Sequence, residues 1–430
     1  MHELADKLNK ELEGTEILSL LSDYGKRMYV PQGIIVQSQE ARKKATKYMA
    51  TIGVALENGN PMNIKAIRDQ FGPSLSEKEL FLYSPMGGNN ALREKWLEDM
   101  KEKNPAMKNA ETSLPIVTNG LTNGVSIASA LFLNKGDCVI RPDKYWENYN
   151  LIFEEQIQAD VKEFPLFRGT SFNIQGMKKA IENSGTEKVF LMLNFPNNPS
   201  GYTPTVKEMN ETADMLTELA EKGKKIIVFC DDAYFGLFYT EDVCRQSLFA
   251  LLCNRNKNIF VIKGDAATKE EMVWGFRIGF LTYGGKGLTK ENFHALEQKT
   301  LGVIRGTISS CSTPAQNAIL KGMNTKGYKE EKQKGIEKLK ARFSAMKENL
   351  ARYNNRKDFV PLPFNSGYFM SFFCTCDAED LRQKLLNDYQ TGVIRTDDHH
   401  IRIAFSSCDT EKISGLIDTL YKCSLELNNK

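Results

Sequence analysis

The stretch Asp265-Ala-Ala-Thr268-Lys269-Glu-Glu-Met-Val-Trp-Gly275-Phe-Arg277-Ile-Gly279 lies between two short apolar runs, 258–262 and 277–281. Runs of this length and composition read as buried strands. The turn between them holds a lysine and an arginine. A lysine of this kind, taken alone, is ordinarily a solvated side chain. Working outward, the same strand, turn, helix pattern repeats from about residue 110. Further strands are expected at 115–118, 138–140, 188–193 and 225–230, a buried helix at 125–133 and an amphipathic helix at 205–221. Apolar strands alternating with helices predict a largely parallel sheet covered on both faces. Such sheets bind ligands at the carboxyl ends of their strands. Polar residues fall there: Asn194 and then Asn198-Pro199-Ser200-Gly201 after one strand, and Asp231-Asp232-Ala233-Tyr234 after the next.

The flanks read differently. Short helical stretches and loops alternate over the first sixty residues, with Pro31-Gln32-Gly33 marking a turn before a helical run to Lys47. Residues 90–100 read as an amphipathic helix, with Leu92 and Trp96 four apart. Beyond about 325 come a long charged helix over 328–354, a strand at 367–373, a helix at 378–389, a strand at 401–405 and a last helix from Glu411. The expected fold class is therefore α/β: a three-layer large domain with a mainly parallel sheet, plus a smaller α+β domain. The expected division is 1–60 as an N-terminal segment packing on the small domain, 61–325 as the large domain and 326–430 as the small one.

Composition excludes several classes. A net charge of +3 over 430 residues makes neither a nucleic-acid nor a membrane surface. The lysine run at Lys222, Lys224 and Lys225 reads as solvated helix ends. Nine scattered cysteines, an odd number without a framework, read as free thiols in a reducing, cytoplasmic setting. With four histidines, two of them adjacent at His399 and His400, no metal site is expected. The charged N-terminus is not a signal peptide, and no run of apolar residues is long enough to span a membrane.

With these motifs in this order, the chain resembles the class I and II aminotransferases, the large fold-type I family that uses pyridoxal 5′-phosphate. The resemblance runs from about residue 50 to 410. It implies Lys269 as the Schiff-base lysine and Arg277 as a phosphate-binding arginine, flanked by Gly275 and Gly279. It implies Asp231 as the partner of the pyridine nitrogen, and Tyr234 and Asn198 as contacts of the ring oxygen. Thr118-Asn-Gly120-Leu121-Thr122 resembles the turn that cradles the phosphate, with Leu121 and Thr122 as contacts. The physical basis is a helix N-terminus with free N–H groups. Trp146, with Tyr145 as the alternative, matches the aromatic that stacks on the ring. Tyr83 matches the tyrosine that reaches the phosphate of a neighbouring subunit, which implies a homodimer with shared sites. Arg402 matches the arginine that forks onto the substrate α-carboxylate, a task suited to a guanidinium. Gly53 and Val54 resemble the segment that closes over it. One departure is Ala266, which stands where the family often has a hydroxyl; Thr268 is the hydroxyl nearby.

The resemblance implies ping-pong transamination between an L-amino acid and a 2-oxo acid. Lys269 would act as the proton-transfer base, with Asp231 and Tyr234 beside it. Glutamate with 2-oxoglutarate is the expected exchanging pair. Arg305 resembles a position that binds a second carboxylate, or is structural. Tyr29, Tyr83 and Trp146 keep an aromatic substrate open, so the other amino acid is expected to be acidic or aromatic. The alternatives are a lyase using the same cofactor for β- or γ-elimination, and a cofactor-binding regulator without catalysis.

Overall fold

The computed structural model describes residues 2–13, 18, 21–29, 33–51 and 53–428. Pro31, Gln32 and Ile52, from the expected turn and closing segment, lie outside the described residues. Seven strands form the central sheet: β1 (Ile116–Thr118), β2 (Cys138–Pro142), β3 (Asp160–Phe164), β4 (Lys188–Asn194), β5 (Lys225–Asp232), β6 (Ile259–Ala266) and β7 (Gly279–Gly285). Their order is β1-β7-β6-β5-β4-β2-β3. All neighbours pair in parallel except β7, which runs against both β6 and β1. The strands β2 and β7 are buried along their whole length, which is why they read as continuous apolar runs. The quoted stretch is thus the connection between β6 and its antiparallel neighbour. It carries Lys269 in the one-turn helix α5 below.

The helices that bear on the site are α1 (Ile34–Lys44), α2 (Asn90–Lys103), α3 (Gly120–Phe132), α4 (Val206–Glu221), α5 (Ala267–Glu270), α6 (Lys290–Thr307), α7 (Thr313–Met323), α8 (Tyr328–Leu350), α9 (Ala378–Asn387) and α10 (Ile413–Asn428). Thr205 and Glu208 form a capping box that starts α4 where the pattern predicts it. Among the elements that escaped the sequence reading are β3, whose residues are mostly half-buried or exposed, and the helices α6 and α7. The strand expected at 277–281 begins instead at Gly279, because Arg277 is left-handed, with φ 57°. Of the lysine run, Lys222 caps α4 but Lys225 opens β5.

A second, antiparallel sheet is built from β8 (Phe359–Pro361), β9 (Phe369–Cys374), β10 (Ile394–Asp397) and β11 (His400–Ala404), in the order β8-β9-β11-β10. With α9 and α10 it makes the smaller α+β domain. The N-terminal segment joins it. Tyr48–Met49 pairs in parallel with Thr391–Gly392, and Glu40 of α1 accepts from Arg382 of α9 at 2.9 Å. The expected helix over 328–354 ends at Leu350 and closes with a 3-10 turn at Ala351–Tyr353.

The two domains meet at the turn 198–203. Ser371 donates to the Pro199 carbonyl at 3.0 Å, and the Gly201 carbonyl accepts from the N–H groups of Asn365 and Ser366, each at 2.9 Å. Gly201 has φ 76°, and a Cβ there would meet the Phe369 carbonyl oxygen at 1.9 Å. Gly59 has a similar φ, 77°, with open space around it. Gly201→Ala is therefore expected to lower the unfolding free energy by roughly 2–4 kcal/mol and Gly59→Ala by only about 1 kcal/mol. Urea unfolding at constant slope measures both; equal losses would show that the domain contact is not tight at Gly201.

Candidate active site

Strand register assembles the site. Asn194 of β4, Asp231 of β5 and Gly264 of β6 are neighbours in one row, and Ala266, Gly279 and Thr118 form another. Both rows lie at the carboxyl edge of the parallel strands. A cavity of ≈ 220 Å³ opens there, and Asp231, Tyr234, Lys269 and Arg277 all line it.

Asp231 forms the floor. It is 4% exposed. One carboxylate oxygen accepts from the Asn194 amide and from the Ala233 N–H, both at 3.1 Å. The other accepts a short hydrogen bond from the Tyr149 hydroxyl. Burial pushes this carboxyl up, and the donors, Tyr149 first, oppose it. Burial and the Asp231 charge in turn hold the Tyr149 hydroxyl well above its ordinary value. Asn194 and Tyr149 were not named as site residues from the sequence. The available signal was the register: a polar residue ending the apolar strand beside the one that ends in Asp231.

Lys269 lies across the cavity, its amine 4.8 Å from the centre of the Tyr234 ring. Burial, reinforced by the Arg277 charge and opposed by Asp231, brings the amine down to about 8. Tyr234 is fixed edge-on by Tyr368 and Phe369, with ring centres 5.5 and 5.6 Å away, and burial raises its hydroxyl.

At the opposite end, α3 begins without a side-chain cap, which leaves its first N–H groups open. Leu121 and Thr122 of that first turn line the cavity. Gly120 has φ 75°, and a Cβ there would meet the Arg277 guanidinium at 2.3 Å. A Cβ at Gly279 would meet the Leu121 nitrogen at 2.8 Å. The missing side chains thus let a cation and a strand start press against an open helix N-terminus, an arrangement suited to a phosphate dianion. Thr268 lines this cavity, and so does Ala266, which offers no hydroxyl.

Arg402, on β11, is 2% exposed and has no carboxylate partner among the described residues. It donates to the Asn198 side-chain oxygen at 2.9 Å and to the Thr51 carbonyl at 3.1 Å, and it lies over the Phe369 ring at 4.2 Å. Its buried Nε has no hydrogen-bond partner. Burial lowers it to about 10, against the charges of Tyr234 and Glu147. Arg402 lines a second cavity of ≈ 610 Å³, and Asn198 borders both cavities. A guanidinium so buried, with a donor unused, is a place for a carboxylate.

The remaining candidates divide. Trp146 lines the first cavity, whereas Tyr145 lies under the Arg141 guanidinium at 3.6 Å and lines the second. Gly53 sits against Phe369 and the Tyr234 hydroxyl, where a Cβ would lie 3.0 and 3.7 Å from them. The Val54 carbonyl accepts from the Ser406 hydroxyl at 3.4 Å. Tyr83 is 96% exposed, and Arg305 is exposed and donates to Ser309 at 3.4 Å; neither lines the two cavities described above. Among the described residues no cluster of three or more His, Cys, Asp or Glu is placed to hold a metal, and no helix is long and apolar enough to cross a membrane.

The donor set fits pyridoxal 5′-phosphate: an amine of lowered pKa for its aldehyde, a buried carboxylate for its ring nitrogen, and a side-chain-free cradle with a cation for its phosphate. Comparison with known proteins agrees. The family described as aminotransferase class I and II matches residues 53–420. A probable N-acetyl-LL-diaminopimelate aminotransferase of Bacillus subtilis is 29% identical over 251 residues, which are 57% of this chain and 56% of that protein. A probable aspartate/prephenate aminotransferase of Rickettsia felis is 28% identical over 233 residues, 53% of this chain and 50% of the other. The chain spans about half the length of the curated relatives it matches. In fold, an aminotransferase from Anaerococcus prevotii superimposes with a TM-score of 0.82 at 24% identity, covering 93% of this chain and 97% of that one. For the aspartate aminotransferase of Thermus thermophilus the values are 0.73 and 19%, with 94% and 99% covered.

In the cofactor-free protein, Lys269 is expected to titrate near 8. Removing a neighbouring cation favours the ammonium form, so Arg277→Met should raise that midpoint; removing the anion in Asp231→Asn should lower it. Competitive acetylation read by mass spectrometry follows it. A wild-type midpoint at the ordinary lysine value of about 10.4 would refute the reading of a desolvated amine.

Proposed function

The chain belongs to the class I and II aminotransferases, and from that premise we propose that it moves the amino group of an L-amino acid to a 2-oxo acid in a ping-pong reaction with pyridoxal 5′-phosphate. The observation that carries this reading is a single one. A desolvated amine, Lys269, shares a cavity with a buried carboxylate, Asp231, and Asn198 joins that cavity to one holding an unpaired, buried guanidinium, Arg402.

Bound pyridoxal 5′-phosphate supplies an electron sink for the substrate α-carbon. The protein's part follows from its side chains. Lys269 Nζ, neutral in a useful fraction at physiological pH, removes the α-proton and holds it for return. Asp231, steadied by Tyr149 and Asn194, would hold a proton on the ring nitrogen of the bound cofactor. Tyr234 and Asn198 would donate to its ring oxygen, and Trp146 would pack on its ring. The α3 N-terminus with Leu121, Thr122, Thr268 and Arg277 binds the phosphate. Arg402 forks onto the α-carboxylate, with Gly53 and Val54 in the segment that closes nearby.

In this reading two copies pair. Phe81, Leu82, Tyr83 and Met86 are exposed in one short segment, at 81%, 59%, 96% and 40%, an apolar strip suited to a second copy. Tyr83 then serves the partner's site. Glutamate with 2-oxoglutarate forms one exchanging pair. An acidic second amino acid rests on Arg305 as the second-carboxylate position, and an aromatic one on Tyr29, Tyr83 and Trp146, of which Trp146 lines the first cavity. The division 1–60, 61–325 and 326–430 and a cytoplasmic setting, supported by nine free thiols, complete the proposal.

The test is a single turnover. Loaded enzyme given one amino acid and no acceptor should release one equivalent of 2-oxo acid and no ammonia, and a second 2-oxo acid should restore it. Ammonia release would establish a lyase instead. Lys269→Ala should lose roughly 10²–10⁴-fold or more in rate. Arg402→Lys should raise KM about tenfold, since a point charge cannot fork onto a carboxylate.

A further inference from the structure

Immediately after Lys269 come two carboxylates that the proposed chemistry does not use. Glu270 is 7% exposed and Glu271 is 0% exposed. Neither lines the Lys269 cavity; Glu270 faces a separate cavity of ≈ 320 Å³ behind it. Both are paired from elements distant in sequence. Lys332 of α8 bridges them, at 2.8 Å to Glu270 and 2.7 Å to Glu271. Lys103, the last residue of α2, also pairs with Glu270 and with Asp99. The Tyr328 hydroxyl, at the start of α8, donates to Glu271. Burial opposes the charged form of Glu270, yet Lys103 and Lys332 hold it at about 2.

The connection to Lys269 is short and covalent. Helix α5 has four residues, fewer than a helix needs to hold itself. Its backbone is tied to the following residues: the Glu271 N–H donates to the Ala267 carbonyl at 2.8 Å and the Val273 N–H to the Thr268 carbonyl at 3.1 Å. Next, Met272 adopts φ 54° and its Cε fills the space at Gly335 of α8, where a Cβ would meet it at 2.4 Å. Helix α8 then carries the chain towards β8 and the sheet that holds Arg402.

Resting on the reading of Lys269 as the reacting amine, we infer that Lys332, with Glu270, Glu271 and Tyr328, forms a positioning clamp that sets Lys269 from behind. The four residues touch neither proposed substrate nor cofactor. They fix the turn that bears the amine to the helix leading into the small domain. Buried charge clusters are seldom the most stabilising way to fill a core, and their attested use is to enforce one arrangement. The amine itself faces Asp231, Tyr234 and Arg277, and not the clamp. The clamp therefore acts on its place and its desolvation, not directly on its charge.

The experiment uses the full chain, cofactor-free and loaded. Lys332→Met removes the bridge and Lys332→Arg restores its charge. Lys329→Met, on the same helix as Lys332, breaks an exposed ion pair with Glu102 of α2 and is the control. Glu271→Gln is the second removal, for use should Lys332→Met not fold. A displaced, better solvated Lys269 should acetylate with a higher pH midpoint, and kcat should fall about 10–100-fold with KM within about threefold. Lys332→Arg should recover both and Lys329→Met should change neither. An unchanged Lys269 midpoint and kcat in folded Lys332→Met, or in Glu271→Gln if the first does not fold, overturns the inference. So does an equal effect from Lys329→Met. A wild-type chain without transaminase activity sinks the aminotransferase reading alone, because the acetylation midpoints still decide the clamp.

Discussion

Taking charge out of water is the constraint on which the rest of this site depends. An isolated buried ion is costly, and proteins offset that cost with partners or by shifting the pKa. Alternation along β5 sends two successive aspartates into opposite solutions. Asp232 faces a closed cluster in which Lys263 pairs with it at 2.7 Å and also with Asp265, and Ser247 donates at 2.6 Å. Asp231 faces the cavity and receives only neutral donors. Arg402 is likewise held by an amide oxygen and a carbonyl alone. The first arrangement is complete in itself. The second leaves an anion and two cations, Lys269 and Arg402, short of partners in adjoining cavities. A ring nitrogen that carries a proton and an aldehyde in the first cavity, with a carboxylate in the second, would complete them.

Close backbone approach is the second condition. The anion cradle exists because Gly120 and Gly279 carry no side chain where Arg277 and the start of α3 converge. Gly264, beneath them, would place a Cβ 2.5 Å from the Leu121 side chain. Left-handed Met272 and Arg277 fold the connection from β6 back into antiparallel β7. Non-glycine residues take that conformation at a cost. Here that cost falls in the middle and near the end of the segment that presents Lys269 and Arg277 to the same cavity. The geometry is thus bought locally and held by the packing of α8 and α3 around it.

Much of this was legible in the sequence, for identifiable reasons. The strands β4, β5 and β6 are long apolar runs that end in polar residues, so their order in the chain and their functional ends could be read together. The amphipathic pattern over 205–221 announced α4, and a Thr205–Glu208 capping box starts it. Other features left no local trace. The antiparallel course of β7 goes with the left-handed Met272 and Arg277 in the connection 267–278, a property of the turn and not of its apolar pattern. Strand β3 lies at the sheet edge and reads Asp-Val-Lys-Glu-Phe, without a buried face to give it a signal. Tyr149 became a site residue through its hydrogen bond to Asp231, which no spacing encodes. Tyr83 and Arg305 line neither of the two site cavities of the single chain.

Asn198 has a particular place in this arrangement. It sits in the turn that docks the small domain, its N–H donates to Asn194 at 2.7 Å, and its side-chain oxygen accepts from Arg402 at 2.9 Å. Through Asn194 it is one hydrogen bond from Asp231, and through Arg402 it reaches the small sheet. A carboxylate arriving at Arg402 offers a stronger, charge-assisted acceptor than the amide oxygen. It would compete for the same guanidinium N–H and release the Asn198 side chain toward the first cavity. One amide residue thus touches the groups at both ends of the joined cavities.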